Sequence, residues 1–307
     1  MSQKILTYRE LRTKDDLLPL MYLAFGWPFN YEEFEKTAQA NPRLRDSPIG
    51  FCALKDGHVV GFVGVMDLIT RNLKGEIERA GGIWGVSTLP SHSRQGISTM
   101  LMNEAHAYFR DRGYSFSFLI TSRSLIAYNF YQKLGYQEAT RFPSAFKHVK
   151  RGKTIEKEKA KENLEKILRI YRDCFVEKSG FVVRDEDYLK AAIGWEEAFH
   201  KVPEEAIFED YAYVMFKDLG GSLCIDEIVA KNKDHAKDLI TKIENGAKAI
   251  IYDRTVLDKS LLQLYESLGY TTQTSSYTAL MVKPLQNYKS FRETYGDKFY
   301  MSSLDYF

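Results

Sequence analysis

Residues 83–136 constrain the fold more than any other stretch, because they fix the order of a strand, a tight loop and a helix. An apolar strand at residues 83–89 leads into a short loop that contains Arg94 and Gly96, and an amphipathic helix follows. The first turn of a helix leaves backbone N–H groups unpaired, and the helix dipole adds positive partial charge there. The loop therefore predicts an anion site of the kind that binds a pyrophosphate.

A second motif lies farther along the same stretch. Residues 115–121 form another apolar strand, and the helix after it carries Tyr131 and ends at the sequence Leu134-Gly135-Tyr136. Glycine is a common helix stop. An ordinary strand–loop–helix unit with an incidental arginine is the simpler alternative, but it leaves this downstream tyrosine motif as a second coincidence.

Together the two motifs resemble the acetyl-CoA-binding core of the GCN5-related N-acetyltransferases (GNATs). The loop pattern of that family, Gln/Arg-x-x-Gly-x-Gly/Ala, falls on residues 93–98, where Arg94 and Gly96 are kept and serine stands at both ends. The later pattern, Asn-x-x-Ala-x-x-Phe-Tyr-x-x-x-Gly-Phe/Tyr, falls on residues 124–136, where Ser124 replaces the asparagine. Its other positions match at Ala127, Phe130, Tyr131, Gly135 and Tyr136.

The resemblance implies acetyl-CoA as the co-substrate, lying between the strands at residues 83–89 and 115–121. Main-chain groups of the first strand would pair with the pantetheine arm, and the loop and helix start would hold the pyrophosphate. The cofactor-binding residues implied in this way are Val86, Ser87, Thr88, Arg94, Gln95, Gly96, Ile97, Ser98, Thr99 and Ser124.

Tyr131 is predicted to be the general acid that protonates the departing thiolate. A tyrosine hydroxyl keeps its proton at neutral pH and can donate it to sulfur. The alternative is a core tyrosine that fills the interface between strand and helix. That alternative has support, because Tyr265 occupies the same place in the second half of the chain.

The general base has three candidates in the sequence. His92 lies close to the expected phosphates and suits a loop hydrogen bond better, and Glu76 and Glu78 are expected to be solvated on a strand. The third candidate is the C-terminal carboxylate at Phe307, because the first half looks like the Eis-type acetyltransferases, which use their C-terminus as a base. Those proteins also carry a third, sterol-carrier-like domain, for which 307 residues leave no room.

The second half of the chain repeats the first in a degenerate form. Residues 264–270 echo residues 130–136, and a strand, a helix and a strand precede both, which indicates a tandem architecture. The second copy has no loop glycine and places Asp234 at the helix start, so it is expected to be non-catalytic, with residues 277–284 as its last strand. We predict a mixed-sheet α/β fold with a catalytic GNAT-like domain, a degenerate GNAT-like domain and an aromatic tail, at residues 1–150, 151–285 and 286–307.

The acceptor side is predicted from a cluster of aromatic residues. Phe25 and Trp27 lie in the turn between the first two helices, where members of the family often shape the acceptor pocket, and Glu32 and Glu33 follow. An aromatic wall with nearby carboxylates suits an amine that carries an apolar group. The alternative is that these aromatic residues only pack the helix pair.

Composition and charge limit the other classes of function. The net charge is +2, which does not recruit nucleic acid or an anionic membrane. The N-terminus has no apolar signal core and no apolar run is long enough to span a bilayer, so a cytoplasmic protein is expected. Three scattered cysteines, and six histidines without paired spacing, predict no metal site. A homo-oligomer is left open.

The leading hypothesis is an acetyl-CoA-dependent N-acetyltransferase whose acceptor is a small-molecule or peptide amine. The alternative is a catalytically silent CoA-binding or regulatory protein, which the serines at positions 93, 98 and 124 favour. Aminoacyl transfer from charged tRNA is a third hypothesis, because tandem folds of this family also serve peptidoglycan-bridge synthesis. The near-neutral charge and the CoA-type loop argue against it.

Overall fold

The computed structural model describes residues 4–150, 152–274, 277–286 and 290–307, without the side chains of Glu196, Ala198, Phe199 and His200. The strands of the first half are β1 (Lys4–Thr7), β2 (Gly50–Lys55), β3 (His58–Arg71), β4 (Ile77–Thr88), β5 (Phe116–Ser122), β6 (Gln137–Arg141) and β7 (Ser144–His148). The helices of the same half are α1 (Leu17–Phe25), α2 (Tyr31–Ala40), α3 (Ile97–Asp111) and α4 (Ile126–Lys133).

The second half has shorter strands and more of its length in helices. Its strands are β8 (Glu158–Lys159), β9 (Ser179–Gly180), β10 (Glu205–Glu209), β11 (Ala212–Leu219), β12 (Ser222–Ala230), β13 (Ile250–Asp253), β14 (Thr271–Gln273), β15 (Thr278–Pro284) and β16 (Phe299–Tyr300). Its helices are α5 (Leu164–Cys174), α6 (Glu186–His200), α7 (Lys233–Gly246), α8 (Lys259–Ser267) and α9 (Phe291–Tyr295). In the described part of the chain, we find no helix with the length and apolar composition of a membrane span.

Two mixed sheets form the framework, as the sequence predicts. The first has the strand order β1-β2-β3-β4-β5-β15-β6, with β9 beside β3 and β16 beside β9, and the second has the order β14-β7-β13-β12-β11-β10-β8. Most neighbouring strands are antiparallel, but β4 and β5 pair in parallel, and so do β12 and β13. Each of these two parallel pairs is joined through a helix, α3 or α7, and ligands commonly bind at the carboxyl ends of such strands.

The two halves exchange one strand each. β15, predicted as the last strand of the second half, lies between β5 and β6 of the first sheet. In return β7, which precedes residue 150, lies between β13 and β14 of the second sheet. Each sheet therefore contains hydrogen-bonded backbone from both halves, and the sheets do not divide at residue 150.

Helix α3 packs closely on the first sheet. Its apolar residues recur at a spacing of four, and Ile97, Leu101, Ala105 and Phe109 are all buried. A Cβ atom on Gly81 of β4 would overlap the ring of Phe109, so the strand needs glycine there for the helix to approach. This contact holds the C-terminal part of α3 against the first half of β4.

The C-terminal segment is packed into the molecule through aromatic and ionic contacts. Tyr295, Tyr300 and Leu304 are buried, and β16 pairs with β9. Asp305 is fully buried, and Arg184 donates to both of its carboxylate oxygens at 2.7 Å, while Tyr188 and the backbone of Ser302 donate to it as well. The pair of Arg184 and Asp305 joins the tail to the loop that precedes α6 of the second half.

Candidate active site

The candidate active site is the cleft where β4 and β5 separate. The two strands pair only from Gly81 to Ile83 of β4, and the last pair joins Ile83 to Leu119. Beyond that pair β4 continues to Thr88, and the edge of β4 that faced β5 has no partner strand there among the described residues. A cleft of this kind offers main-chain N–H and C=O groups to an extended ligand.

A bulge in β4 causes the separation. The register of β4 against β3 shifts so that Gly85 and Val86 lie opposite the single residue Val63. Gly85 has a φ of 59°, in the left-handed region that glycine adopts without strain. An extra residue in one strand bends it and increases its twist, and here the bend follows directly after the last pair with β5.

The loop between β4 and α3 ends in an uncapped helix start. Gly96 stands at the N-cap of α3 with a φ of 80°, and no side chain caps the first turn. A Cβ atom on Gly96 meets no other atom within 4 Å, so space is open in front of the helix. Arg94 and Gln95 are exposed there, and this end of α3 has the free N–H groups and open space that a phosphate needs.

The end of β4 is tied to the start of α3 by serine and threonine side chains. The Thr88 hydroxyl lies 2.8 Å from that of Ser98, which replaces the small residue of the family pattern. The Ser87 hydroxyl is buried, and no described residue is its hydrogen-bond partner. A buried hydroxyl without a partner costs free energy, which an incoming polar ligand would recover. Ser124 is instead exposed, and its hydroxyl lies 2.8 Å from that of Ser122.

Tyr131 lies at the closed end of the cleft. It belongs to the same core cluster as Ile83 and Leu119, the last paired residues of β4 and β5. Burial raises the pKa of Tyr131 to about 12, so the phenol keeps its proton at neutral pH. Among the residues that the structure describes, its hydroxyl has no hydrogen-bond partner, which leaves it available as a proton donor.

The structure separates the candidate bases. Glu78 was expected to be solvated, and this is wrong: its side chain is buried and receives a hydrogen bond from the Ser115 hydroxyl. Glu76 is exposed and accepts from the Asn72 side chain, and His92 lies 3.0 Å from the Ser91 hydroxyl within the loop. The ring of Phe307 lies beside β4, 3.2 Å from the position of a Cβ on Gly82.

An aromatic pocket opens on the face of β4 opposite α3. Its volume is about 440 Å³, and its aromatic lining residues are Trp27, Phe29, Phe34, Trp84 and Trp195. Phe25 does not line it and instead stacks on Trp27 at a centroid distance of 4.3 Å. Glu33 lines the pocket and Glu32 does not.

From the sequence we predicted only the side of this pocket that Trp27 and Glu33 form. Trp84 carries a signal that we missed, since it lies one residue before Gly85 in the strand of the cleft. Trp195 gives no local signal, because it comes from α6 in the other half of the chain. The pocket is therefore assembled by tertiary contacts between helices that are far apart in sequence.

The corresponding place in the second half is closed by its own side chains. Asn232 caps α7 and accepts from the backbone N–H groups of Asp234 and His235. Tyr265, the counterpart of Tyr131, is fully buried and donates to Asp253 at 2.9 Å. A smaller cavity of about 270 Å³ remains between β12 and α7. Within the described ranges, no three His, Cys, Asp or Glu side chains form a group that could hold a metal ion.

The chain is similar to known proteins in both sequence and fold. Residues 8–139 match the family described as acetyltransferase (GNAT) domain. A GCN5-related N-acetyltransferase from Kribbella flavida is 18% identical with a TM-score of 0.69, over 92% of this chain and 72% of that one. A probable N-acyltransferase of unknown function from Enterococcus faecalis is 17% identical with a TM-score of 0.70, over 93% and 73%.

Eis1 from Mycobacterium abscessus is also similar, at 15% identity and a TM-score of 0.63, over 93% of this chain and 74% of that one. None of the curated proteins compared with the chain matches it. At these identities the solved structures show the fold alone, whereas the family match covers the bulged strand, the loop with Gly96 and the helix with Tyr131. Residues 8–139 thus match the acetyltransferase (GNAT) domain family, and the chain shares its fold with a solved GCN5-related N-acetyltransferase.

Proposed function

We propose that this chain is an acetyl-CoA-dependent N-acetyltransferase with one catalytic half, residues 1–150. Residues 151–285 form a non-catalytic half, and residues 286–307 are the tail that packs beside the cleft. The observation that carries this proposal is the early end of the β4–β5 ladder at Ile83 and Leu119, with the uncapped start of α3 at one end of the opening and Tyr131 at the other.

The proposed cofactor contacts follow from this geometry. The free edge of β4 from Val86 to Thr88 would pair with the pantetheine arm, and the buried hydroxyl of Ser87 would gain a partner there. The pyrophosphate would lie before the N–H groups of residues 96–99, with Arg94 beside it. Anions at helix N-termini are stabilised by these groups and by the helix dipole.

In the proposed reaction the uncharged amine attacks the acetyl carbonyl carbon, so that a C–N bond forms and the C–S bond breaks. The amine gives up one proton to a base. Tyr131 gives its proton to the departing thiolate and regains one from solvent. Because the pKa of Tyr131 is raised to about 12, the tyrosine is fully protonated over the range in which the amine acceptor becomes uncharged.

The base is proposed to be the carboxylate at Phe307, which is supported by the position of its ring against β4. Removal of residues 305–307 together is a poor test, because Asp305 is the buried partner of Arg184. Removal of Phe307 alone is sharper. Turnover should fall at least tenfold while the melting temperature changes little, and unchanged turnover would rule out this base.

Calorimetric titration with acetyl-CoA tests the proposed function. One site per chain, lost in Gly96→Glu, is the expected result. Two sites per chain would show that the second half also binds the cofactor, and binding without turnover of any amine would favour the catalytically silent alternative. No binding at high micromolar cofactor would overturn the proposal.

A further inference from the structure

The aromatic pocket contains all of the tryptophan in the chain. The sequence has three tryptophans, and Trp27, Trp84 and Trp195 all line the pocket beside Phe29 and Phe34. These five residues come from four places in the fold. Trp27 and Phe29 lie in the turn before α2, Phe34 lies in α2, Trp84 in β4 and Trp195 in α6. Aromatic rings around an open cavity can bind flat apolar groups by stacking and cations over their faces.

The walls of the pocket hold one another in place. The rings of Trp84 and Trp195 are perpendicular, with centroids 5.7 Å apart, and Phe34 lies 5.6 Å from Trp84 and 6.4 Å from Trp195. Trp84 is 6% exposed and Trp195 is 9% exposed, so each presents only a small part of its surface to the cavity. The pocket is therefore largely formed before a ligand enters, which lowers the entropy lost on binding.

The charged groups around the pocket are few. Glu33 is the one acidic residue that lines it among the described residues, and Lys201 lines it as well. No ion pair involves Glu33 within the described part of the chain. A single carboxylate can pair with one ammonium group, whereas a polycation would bring further positive charges toward Lys201.

The pocket is adjacent to the point where the thioester is expected. Successive side chains of a strand point to opposite faces, so Ile83 packs with Tyr131 on one face while Trp84 enters the pocket on the other. Both residues lie where β4 parts from β5. An amine held by this pocket would approach the acyl group from the side away from α3.

We propose that the acceptor is a monoamine whose body is a flat apolar or aromatic group that packs against Trp84 and Trp195, and that Glu33 attracts its ammonium form before the nitrogen loses a proton and attacks the acetyl group. The proposal rests on the proposed N-acetyltransferase function and narrows its substrate class. It also gives the non-catalytic half a task in the reaction, because Trp195 of α6 forms one wall of the acceptor site.

The first test measures binding without turnover. The chain holds no tryptophan outside the pocket, so its tryptophan fluorescence reports on this site. Titration with 2-phenylethylamine should change the emission with saturation, and ethylamine, which has the amine without the ring, should not. Equal responses to the two amines, or no response to either, would overturn the proposal.

The second test compares acceptors by the release of free CoA thiol at saturating acetyl-CoA. We expect kcat/KM for 2-phenylethylamine to exceed that for ethylamine, spermidine and a blocked lysine peptide by tenfold or more. Preference for spermidine or the peptide would overturn the proposal. If acetyl-CoA binds but 2-phenylethylamine is not acetylated, this inference fails alone, whereas loss of acetyl-CoA binding is failure of the proposed function.

Matched variants test the aromatic contact and the carboxylate contact separately. Trp195→Ala should raise KM for 2-phenylethylamine about tenfold and leave the acetyl-CoA affinity unchanged, while Tyr211→Ala, an exposed aromatic residue of the same half, should change neither. Glu33→Gln should raise KM several-fold and Glu32→Gln should not. Both glutamates are exposed on α2, so folding is not at stake for this pair. Equal effects of the two glutamate variants would contradict the assignment of the ammonium to Glu33.

Discussion

The two halves of the chain use the same order of strands and helices but differ at two corresponding points, the start of the helix after the long strands and the tyrosine that follows it. In the first half, the start of α3 is uncapped, and the hydroxyls of Ser87 and Tyr131 have no partner among the described residues. In the second half, Asn232 caps α7 and Tyr265 donates to Asp253. The cleft that leaves its groups unpaired is the one that we propose to bind a ligand.

The difference teaches that a repeated sequence motif can place the same residue type in a different environment. A buried polar group without a partner destabilises the folded chain by about 1–3 kcal/mol, and a ligand that pairs with the buried hydroxyl of Ser87 would recover that free energy. When the partner is supplied by the protein, as Asp253 is for Tyr265, the same tyrosine becomes part of the structure. Four experiments test this comparison.

The largest change in stability is expected at the buried ion pair that joins the C-terminal tail to the second half. Asp305→Ala removes the carboxylate that Arg184 binds and leaves a buried guanidinium partly unpaired, beside Glu227. We expect the free energy of unfolding to fall by about 3–5 kcal/mol in urea titrations. Asp297→Ala, an exposed aspartate of the same tail, is the control and should change it by less than about 0.5 kcal/mol. Equal changes would mean that the buried pair does not hold the tail.

The next effect concerns the two helix starts. Gly96→Glu places a carboxylate in the open space before α3 and should weaken acetyl-CoA binding about a thousandfold, or about 4 kcal/mol. Lys233→Glu makes the corresponding change at the start of α7 and should leave the affinity unchanged. Calorimetry measures both. Weaker binding in the Lys233 variant would show that the second half takes part in cofactor binding.

The third experiment follows the pH dependence of stability at the second tyrosine site. Burial raises the pKa of Asp253 from 3.8 to about 6. The folded state therefore holds this proton more tightly than the unfolded state, and the resulting stability is present below about pH 4 and lost as the pH rises through 6. The loss amounts to about 3 kcal/mol.

Asp253→Asn keeps an acceptor for Tyr265 but does not titrate. Compared with the wild type, the variant should therefore gain about 3 kcal/mol between pH 4 and pH 7 in urea titrations. Asp238→Asn, on the exposed side of α7, is the control and should show no such gain. A wild type and an Asp253 variant with parallel pH profiles would contradict the assigned cause.

The smallest effect separates the two tyrosines. Tyr131→Phe should lower kcat about a hundredfold with little change in acetyl-CoA affinity, because only proton donation to the thiolate is lost. Tyr265→Phe should leave kcat unchanged and lower the free energy of unfolding by about 1–2 kcal/mol, since Asp253 loses a buried donor. Steady-state kinetics with urea titration distinguishes the two outcomes. Unchanged turnover in Tyr131→Phe would remove the general-acid role.

Much of the candidate cleft could be predicted because it is built from consecutive residues. The strand that ends near Thr88, the loop with Arg94 and Gly96 and the helix that starts at Ile97 all lie within a few residues of one another. Their geometry depends on local backbone preferences, above all on glycine with positive φ. The burial of Glu78 was not predicted, because its partner Ser115 is 37 residues away in sequence.

The sequence by itself determined the motif order, the helix that bears Tyr131 and the absence of a loop glycine before α7. Only the tertiary structure decided that β7 and β15 change sheets, that Asp305 pairs with Arg184, and that Trp195 completes a pocket with Trp84. Strand, loop and helix preferences act over a few residues and can be read from their order. Strand neighbours and pocket walls depend on which distant apolar faces pack together, and that is settled only when the whole chain buries its surface.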